Sequence, residues 1–333
     1  MDAAVTTETP EAPEPVVRTV LGDVPPAELG RVDAHEHVFL RSPELPGSEF
    51  LDPDRMRQEL DQVRESSIDT VVDLTTIGLG RQPRELAEVS AASGVRVVAA
   101  TGFHRDAHYR DDHWVHRVSA ATMLDVVMSD LTVGIDASDW SGPFQEATEH
   151  RAGIVKLGAS YQAISARERV RLEVGAEAAR RTGVPIAVHT EVGTAGQQIL
   201  DAVEAAGVRP DRVVLAHLDR NPDPDLHAEL CARGAHLVYD TVGRVKYRPE
   251  SDLLDLVEAM VDRGYGERIM LGADVGRRQS LASYGGGPGM AVLGRQFLPR
   301  LVRRLGEDVV DRILVSTPAR FLTLDRLDQK AES

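Results

Sequence analysis

Along most of the chain, short β-branched runs alternate with longer stretches whose apolar residues recur every three to four positions. The short runs fall at Arg31–Val38, Thr70–Thr75, Val95–Gly102, Gly153–Ala159, Pro185–Thr190, Arg212–Leu218, His236–Val242 and Arg268–Val275. Helical periodicity occupies Pro53–Glu65, Pro83–Ala92, Ala120–Leu131, Ala166–Thr182, Thr194–Ala206, Pro224–Arg233 and Glu250–Arg263, and Pro288–Leu305 follows the last run. A strand period answered each time by a helix period is the pattern of successive βα units around a parallel sheet. Repeated eight times, it predicts an α/β fold closed as a (β/α)8 TIM barrel rather than an open doubly wound sheet. A dinucleotide-binding sheet would carry a glycine-rich loop after its first strand, and His35-Glu36-His37 stands there instead. The run Gly285–Gly287, followed by Pro288, lacks GxGxxG spacing and reads as a flexible loop over the barrel mouth.

The barrel is expected as a single domain over 18–326, opened by a short lead-in, Thr19–Arg31, with turn signals at Gly22 and Pro25-Pro26. Residues 1–17 read as a disordered tail, since Asp2–Pro15 has too few large apolar groups to offset its ordering entropy, and 327–333 read as a C-terminal tail. A formal net charge of −15 argues against nucleic acid as a partner and favours a small-molecule substrate. No run approaches the roughly 18 apolar residues of a membrane span, and the N-terminus lacks the basic and apolar regions of a signal peptide, so no membrane association and a cytoplasmic location are expected. The lone Cys231 lies in a helix-like run with no thiolate partner and reads as structural.

Active sites of such barrels form at the C-terminal ends of the strands. His35 and His37 end the first strand, Lys156 lies in the fourth, His189 ends the fifth, His217 the sixth and Asp274 the eighth. Alternation along a strand sends His35 and His37 to one side and Glu36 to the other, so the two imidazoles can approach one ion. An HExxH reading fails, because Phe39 stands where the second histidine would be. A single strand-end histidine is usually a hydrogen-bonded structural residue; six such residues around one barrel mouth point to a site. Lys156 cannot ligate a cation as an ammonium. Buried, it loses its charge readily, and carbon dioxide would convert it to an anionic carbamate able to bridge two cations. A Schiff-base lysine, as in barrel aldolases, is the competing reading.

These residues resemble the phosphotriesterase-like group of the amidohydrolase superfamily: HEH in VDAHEHVF, the lysine of GIVKLGA, the histidines of AVHTEVG and VVLAHLDRNPD, and the aspartate of MLGADVG. The similarity runs from Thr19 to about Leu324 and includes TVLGDVPPAELGR and TPARFL. The resemblance implies a centre of two divalent metal ions, zinc first, with manganese, cobalt or iron as alternatives. It places His35, His37 and Asp274 on one ion, His189 and His217 on the other, and carboxylated Lys156 with a hydroxide between them. Two cations lower the pKa of a shared water and polarise a carbonyl or phosphoryl oxygen, and Asp274 is placed to shuttle the proton. A homodimer is also implied by the resemblance alone.

The loops GRVKYRPES and DVGRRQSLASYGGGPG are similar to those of the sugar-lactone branch, where a lysine, an arginine and a tyrosine hold a substrate phosphate. Lys246 and Arg277 match the first two by position, and Ser280 stands in place of the tyrosine. Facing the pocket, the two cations would favour an anionic substrate; facing water, they would form a solvated rim. Asp219, two residues after His217, is expected on the same side as an orienting group, or else as a cap of the next helix. His104 is a candidate pocket residue, whereas His108, His113 and His116 in a hydrophilic loop read as surface residues. The leading expectation is therefore a lactonase or carboxylic ester hydrolase, its substrate a phosphorylated sugar lactone in one version. Phosphotriesterase is the alternative, and a Schiff-base aldolase or a non-catalytic metal-binding barrel are remote ones.

Overall fold

The computed structural model describes residues 14–140 and 145–325. The expected C-terminal tail and residues 1–13 of the N-terminal one lie outside that range. At the inner edge of the expected N-terminal tail, Val17 already belongs to strand β1 (Val17–Thr19), which pairs with β2 (Gly22–Val24) as a two-stranded antiparallel ribbon.

Eight parallel strands then follow in chain order: β3 (Val32–Glu36), β4 (Thr70–Asp73), β5 (Arg96–Thr101), β6 (Ile154–Ala159), β7 (Ile186–Thr190), β8 (Val213–Ala216), β9 (His236–Tyr239) and β10 (Ile269–Leu271). Each pairs with the next in sequence. The ring is brought together where the Asp274 N–H, just past β10, donates to the His35 carbonyl on β3 at 2.9 Å. This is the (β/α)8 barrel expected from the alternating pattern.

Strand alternation separates two apolar layers. Val72, Val98, Ile154, Ala187, Val214 and Val238 pack inside the barrel, while their neighbours Val71, Val97, Val155, Ile186, Val213 and Leu237 pack outward in the layer shared with the helices. Burying each valine, isoleucine or leucine among them contributes about 1.5–3 kcal/mol. The helices start where local chemistry satisfies their first N–H groups. Asp52 caps α1 (Pro53–Glu65), Asp223 caps α6 (Pro224–Ala232), and Ser165 with Glu168 forms a capping box on α4 (Ala166–Thr182).

Glu168 has a second task. Buried, it accepts from the Asp106 N–H at 3.1 Å and the Ser160 hydroxyl at 2.6 Å, and Arg171 donates to the His104 carbonyl at 3.0 Å. The loop after β5 is thereby held against α4. Gly102 (φ +105°) allows this loop to leave β5, because a Cβ there would strike the backbone carbonyl of Lys156.

The Gly285–Gly287 run is not among the residues that line the cavity at the barrel mouth. Gly286 and Gly287 donate to the carbonyls of Leu281 and Gln279 at 3.0 and 2.9 Å, folding the run back on its own loop. The helix expected over Pro288–Leu305 begins later, with regular α-helix over Leu298–Leu305 after a wider π-helical turn at Leu293–Phe297, and the helices Glu307–Asp311 and Thr317–Leu322 follow it. Among the described residues, no helix is long and apolar enough to cross a membrane.

Candidate active site

The C-terminal mouth of the barrel opens into a cavity of about 590 Å³, lined among others by His35, His37, His189, His217 and Asp274. Lys156 lies beneath it. In the β6–β7 register Gly158 faces His189 and Lys156 faces Ala187, so the lysine sits one layer deeper than the histidines. It is wholly buried, and its Nζ has no hydrogen-bond partner. Burial lowers its pKa to about 8, against the charges of Asp240 and Asp274.

The hydrogen bonds around the histidines determine which nitrogens are left over. Thr75 gives its hydroxyl proton to the Phe39 carbonyl at 3.2 Å, so the hydroxyl accepts from Nδ1 of His37 at 2.9 Å. Asp240 accepts from Nδ1 of His35 at 2.8 Å and from Nδ1 of His217 at 2.7 Å. Glu191 accepts from Nε2 of His189 at 2.7 Å. Burial lowers the pKa of His35 and of His189 to about 4 and that of His217 further below its usual value, so these three rings are neutral near pH 7.

Each neutral ring has one N–H, and that proton is already engaged. The inward nitrogens of His35, His189 and His217 therefore carry bare lone pairs. His217 Nε2 and His189 Nδ1 face each other at 2.8 Å. Nε2 of His35 and of His37 point at Oδ1 of Asp274 from 3.6 and 3.4 Å. Lone pairs facing lone pairs or a carboxylate, in a buried place, repel unless a cation stands among them. The donor atoms of His35, His37 and Asp274 all lie within 4.8 Å of one another, as a metal ion requires. The group His35, His217 and Asp240 is equally close, but there N–H donors already meet a carboxylate.

The neighbours of Asp274 are cationic. Arg220 and Arg244 both reach its Oδ2, at 2.8 and 2.9 Å. Burial alone would raise the Asp274 pKa; the opposing charges, that of Arg244 foremost, outweigh it and hold the carboxyl well below its usual range.

Of the residues singled out for substrate, Lys246, Arg277 and His104 line the cavity, as does Ser280. Asp219 does not. His217 sits in the left-handed region (φ +65°) and the next three residues form a 3-10 turn, so strand alternation no longer applies after His217. The Asp219 carboxylate instead accepts from the Thr241 N–H at 2.8 Å, and it is Asp223 that caps the following helix. His108 was expected at the surface but lines the cavity, its ring 3.7 Å from that of His104. Asp240, Glu191, Arg220 and Arg244 were not singled out. Asp240 was within reach: it continues the inward parity of Val238 at the end of an apolar strand.

An eight-stranded parallel barrel with histidines and an aspartate at its strand ends around a pocket places the chain in the class of α/β-barrel enzymes. The Phosphotriesterase family model matches residues 15–322, and the chain belongs to that family. It is 31% identical over 325 residues to a phospho-furanose lactonase of Mycoplasmopsis synoviae (strain 53), covering 92% of each chain. An amidohydrolase from Mycoplasma synoviae superposes with a TM-score of 0.90 at 30% identity, over 95% of this chain and 94% of that one. The phosphotriesterase homology protein of Escherichia coli, complexed with phosphate in its active site, gives a TM-score of 0.80 at 28% identity, over 89% and 99%. The chain is a hydrolase.

Proposed function

We propose that the chain hydrolyses an anionic lactone, or a carboxylic ester of similar shape, at a centre of two divalent cations. The observation that carries this reading is the set of inward imidazole lone pairs that the hydrogen-bond network leaves without protons. His35, His37 and Asp274 would hold one cation and His189 and His217 the other. Lys156, whose amine gives up its proton more readily for being buried, would be carboxylated by carbon dioxide and supply a further anionic ligand. Bound there, the two cations lower the pKa of a shared water and polarise the acyl oxygen. Zinc suits this nitrogen-rich set best, with manganese, cobalt and iron as alternatives.

The protein's own part is positioning and charge. Asp240 and Glu191 keep the imidazoles in the tautomers that leave the inward nitrogens free. Asp274, held ionised by Arg220 and Arg244, is placed to take the proton of the attacking water and return it to the departing ring oxygen. Five cationic side chains line the cavity, Arg105, Arg220, Arg244, Lys246 and Arg277, against the carboxylates of Glu44, Glu191 and Asp274. In a chain of net charge −15 this local excess supports an anionic substrate and weighs against a neutral phosphotriester. Lys246 and Arg277, both on the cavity wall, would take a phosphate group.

The test is hydrolysis of a lactone panel with and without a 5-phosphate, alongside paraoxon, by chelated and by metal-reconstituted protein and by Lys156→Ala. Metal-dependent lactone turnover, lost in the variant and better with the phosphate, is expected. Full activity after verified metal removal would overturn the two-cation reading and return Lys156 to Schiff-base chemistry.

A further inference from the structure

Two guanidinium groups converge on one carboxylate oxygen, Oδ2 of Asp274: Arg220 Nη2 at 2.8 Å and Arg244 Nη1 at 2.9 Å. They come from different loops, after β8 and after β9, so neither is carried there by the other. Asp274 has one negative charge, and its Oδ1 faces Nε2 of His35 and of His37. Any cation held by those nitrogens draws on the same charge, which leaves the arginine pair in surplus. Both arginines line the cavity, and the nearly buried Arg220 keeps an Nε with no partner. The Tyr247 ring lies 5.1 Å from the Arg220 guanidinium carbon and 4.8 Å from Lys246 Nζ, which spaces the pair from the outer cation.

We propose that Arg220 and Arg244 form an inner anion subsite that takes the carboxylate created when the lactone ring opens, separate from the outer cations Lys246 and Arg277. The inference rests on the lactone reading above. In the reaction the water oxygen bonds to the acyl carbon, the bond from that carbon to the ring oxygen breaks, and the ring oxygen leaves as an alkoxide that takes one proton. The second proton departs from the new acid, so the hydroxycarboxylate product is one charge more negative than the lactone. A cationic pair on the cavity wall beside Asp274 has little to bind in a neutral ring ester and a full carboxylate to bind in the product. Guanidinium suits that partner, because its planar N–H fork matches the two carboxylate oxygens. The same pair favours the negative charge that develops before the ring bond breaks.

The test compares γ-butyrolactone with its ring-opened product, 4-hydroxybutyrate, on metal-loaded wild type, Arg244→Met and Arg244→Lys. Losing one charged fork is expected to raise the inhibition constant of 4-hydroxybutyrate at least about tenfold in Arg244→Met. KM for the neutral lactone is expected to change by less than about threefold. Arg244→Lys, which keeps the charge without the fork, should fall between them and serves alone if Arg244→Met does not fold. Inhibition and KM moving together, or neither moving, would overturn the subsite and leave the arginines a structural role on Asp274. If wild type opens no lactone, the functional reading fails. Calorimetric titration of 4-hydroxybutyrate into wild type and Arg244→Met still decides the subsite, with equal affinities overturning it.

Discussion

Oδ1 of Asp240 lies 2.7 Å from Nδ1 of His217, and the other oxygen of the same carboxylate lies 2.8 Å from Nδ1 of His35. One buried aspartate thus fixes the tautomer of two histidines, one from the first barrel strand and one just past the sixth. Burial raises its pKa, but the hydrogen bond from His35 and the charges of Arg220 and Arg244 lower it below the usual value. Asp240→Asn keeps the shape and removes an acceptor, since the amide nitrogen then meets an imidazole N–H. One ring must give up its tautomer. Metal affinity should fall about 10- to 100-fold, read from retained metal after dialysis against a graded chelator, with activity recovering in excess metal. Unchanged retention would show that the carboxylate does not orient the ligands.

Lys156 makes a contrasting prediction. Its Nζ is buried without a partner, so in chelated protein the amine is a cost to the fold. Lys156→Met, similar in length and apolar, should leave the chelated protein as stable as wild type, or more stable by about 1–2 kcal/mol. The metal-loaded variant should lose both bound metal and turnover. Urea unfolding with and without chelator separates the two effects. A chelated variant clearly less stable than wild type would show that the amine has a structural partner.

The barrel was legible because each strand repeats one simple constraint: inward and outward residues are both apolar, with helical stretches of regular period between. The candidate ligands His35, His37, Lys156, His189, His217 and Asp274 were legible because a polar group inside or at the end of an apolar strand breaks the pattern. Asp240 breaks it in the same way, but no second signal drew attention to it. Arg220 and Arg244 lie beyond the strands, where side-chain direction depends on left-handed residues such as His217 and on 3-10 turns that no periodicity records. Asp219 was misplaced for that reason. His108 looked solvent-facing because its loop is hydrophilic, yet Ser42 and the ring of His104 hold it in the pocket.

Val192 sits at φ +53° in the turn Glu191–Gly193, directly after the carboxylate that orients His189. A β-branched residue in the left-handed region is strained by about 1–3 kcal/mol. Because the side chain is exposed, little packing offsets that strain. Val192→Gly should therefore raise stability by about 1 kcal/mol despite the freedom glycine adds to the unfolded chain. Urea midpoints at matched metal content would show it, and a loss of stability would mean that the valine side chain is held by a contact worth more than the strain.

Acid sensitivity should have a component unrelated to the metal site. His236 begins β9 at the N-terminal end of the barrel, buried against Phe321, and neither ring nitrogen has a partner. Burial, then the charges of Arg268 and Arg320, pushes its pKa down to about 3. In the unfolded chain the same ring takes up a proton near pH 6.5, as a free histidine does. Between those values the unfolded state binds more protons, so this contribution is complete above about pH 6.5 and is lost as pH falls toward 3. The slope is about 1.4 kcal/mol per pH unit for one proton. His236→Leu removes the titration and keeps an apolar side chain against Phe321. In chelated protein, the fall in unfolding free energy between pH 6 and pH 5 should be smaller in the variant by about that amount. Equal slopes in the two proteins would mean that His236 is protonated in the folded state at those pH values, with water or a carboxylate reaching its ring.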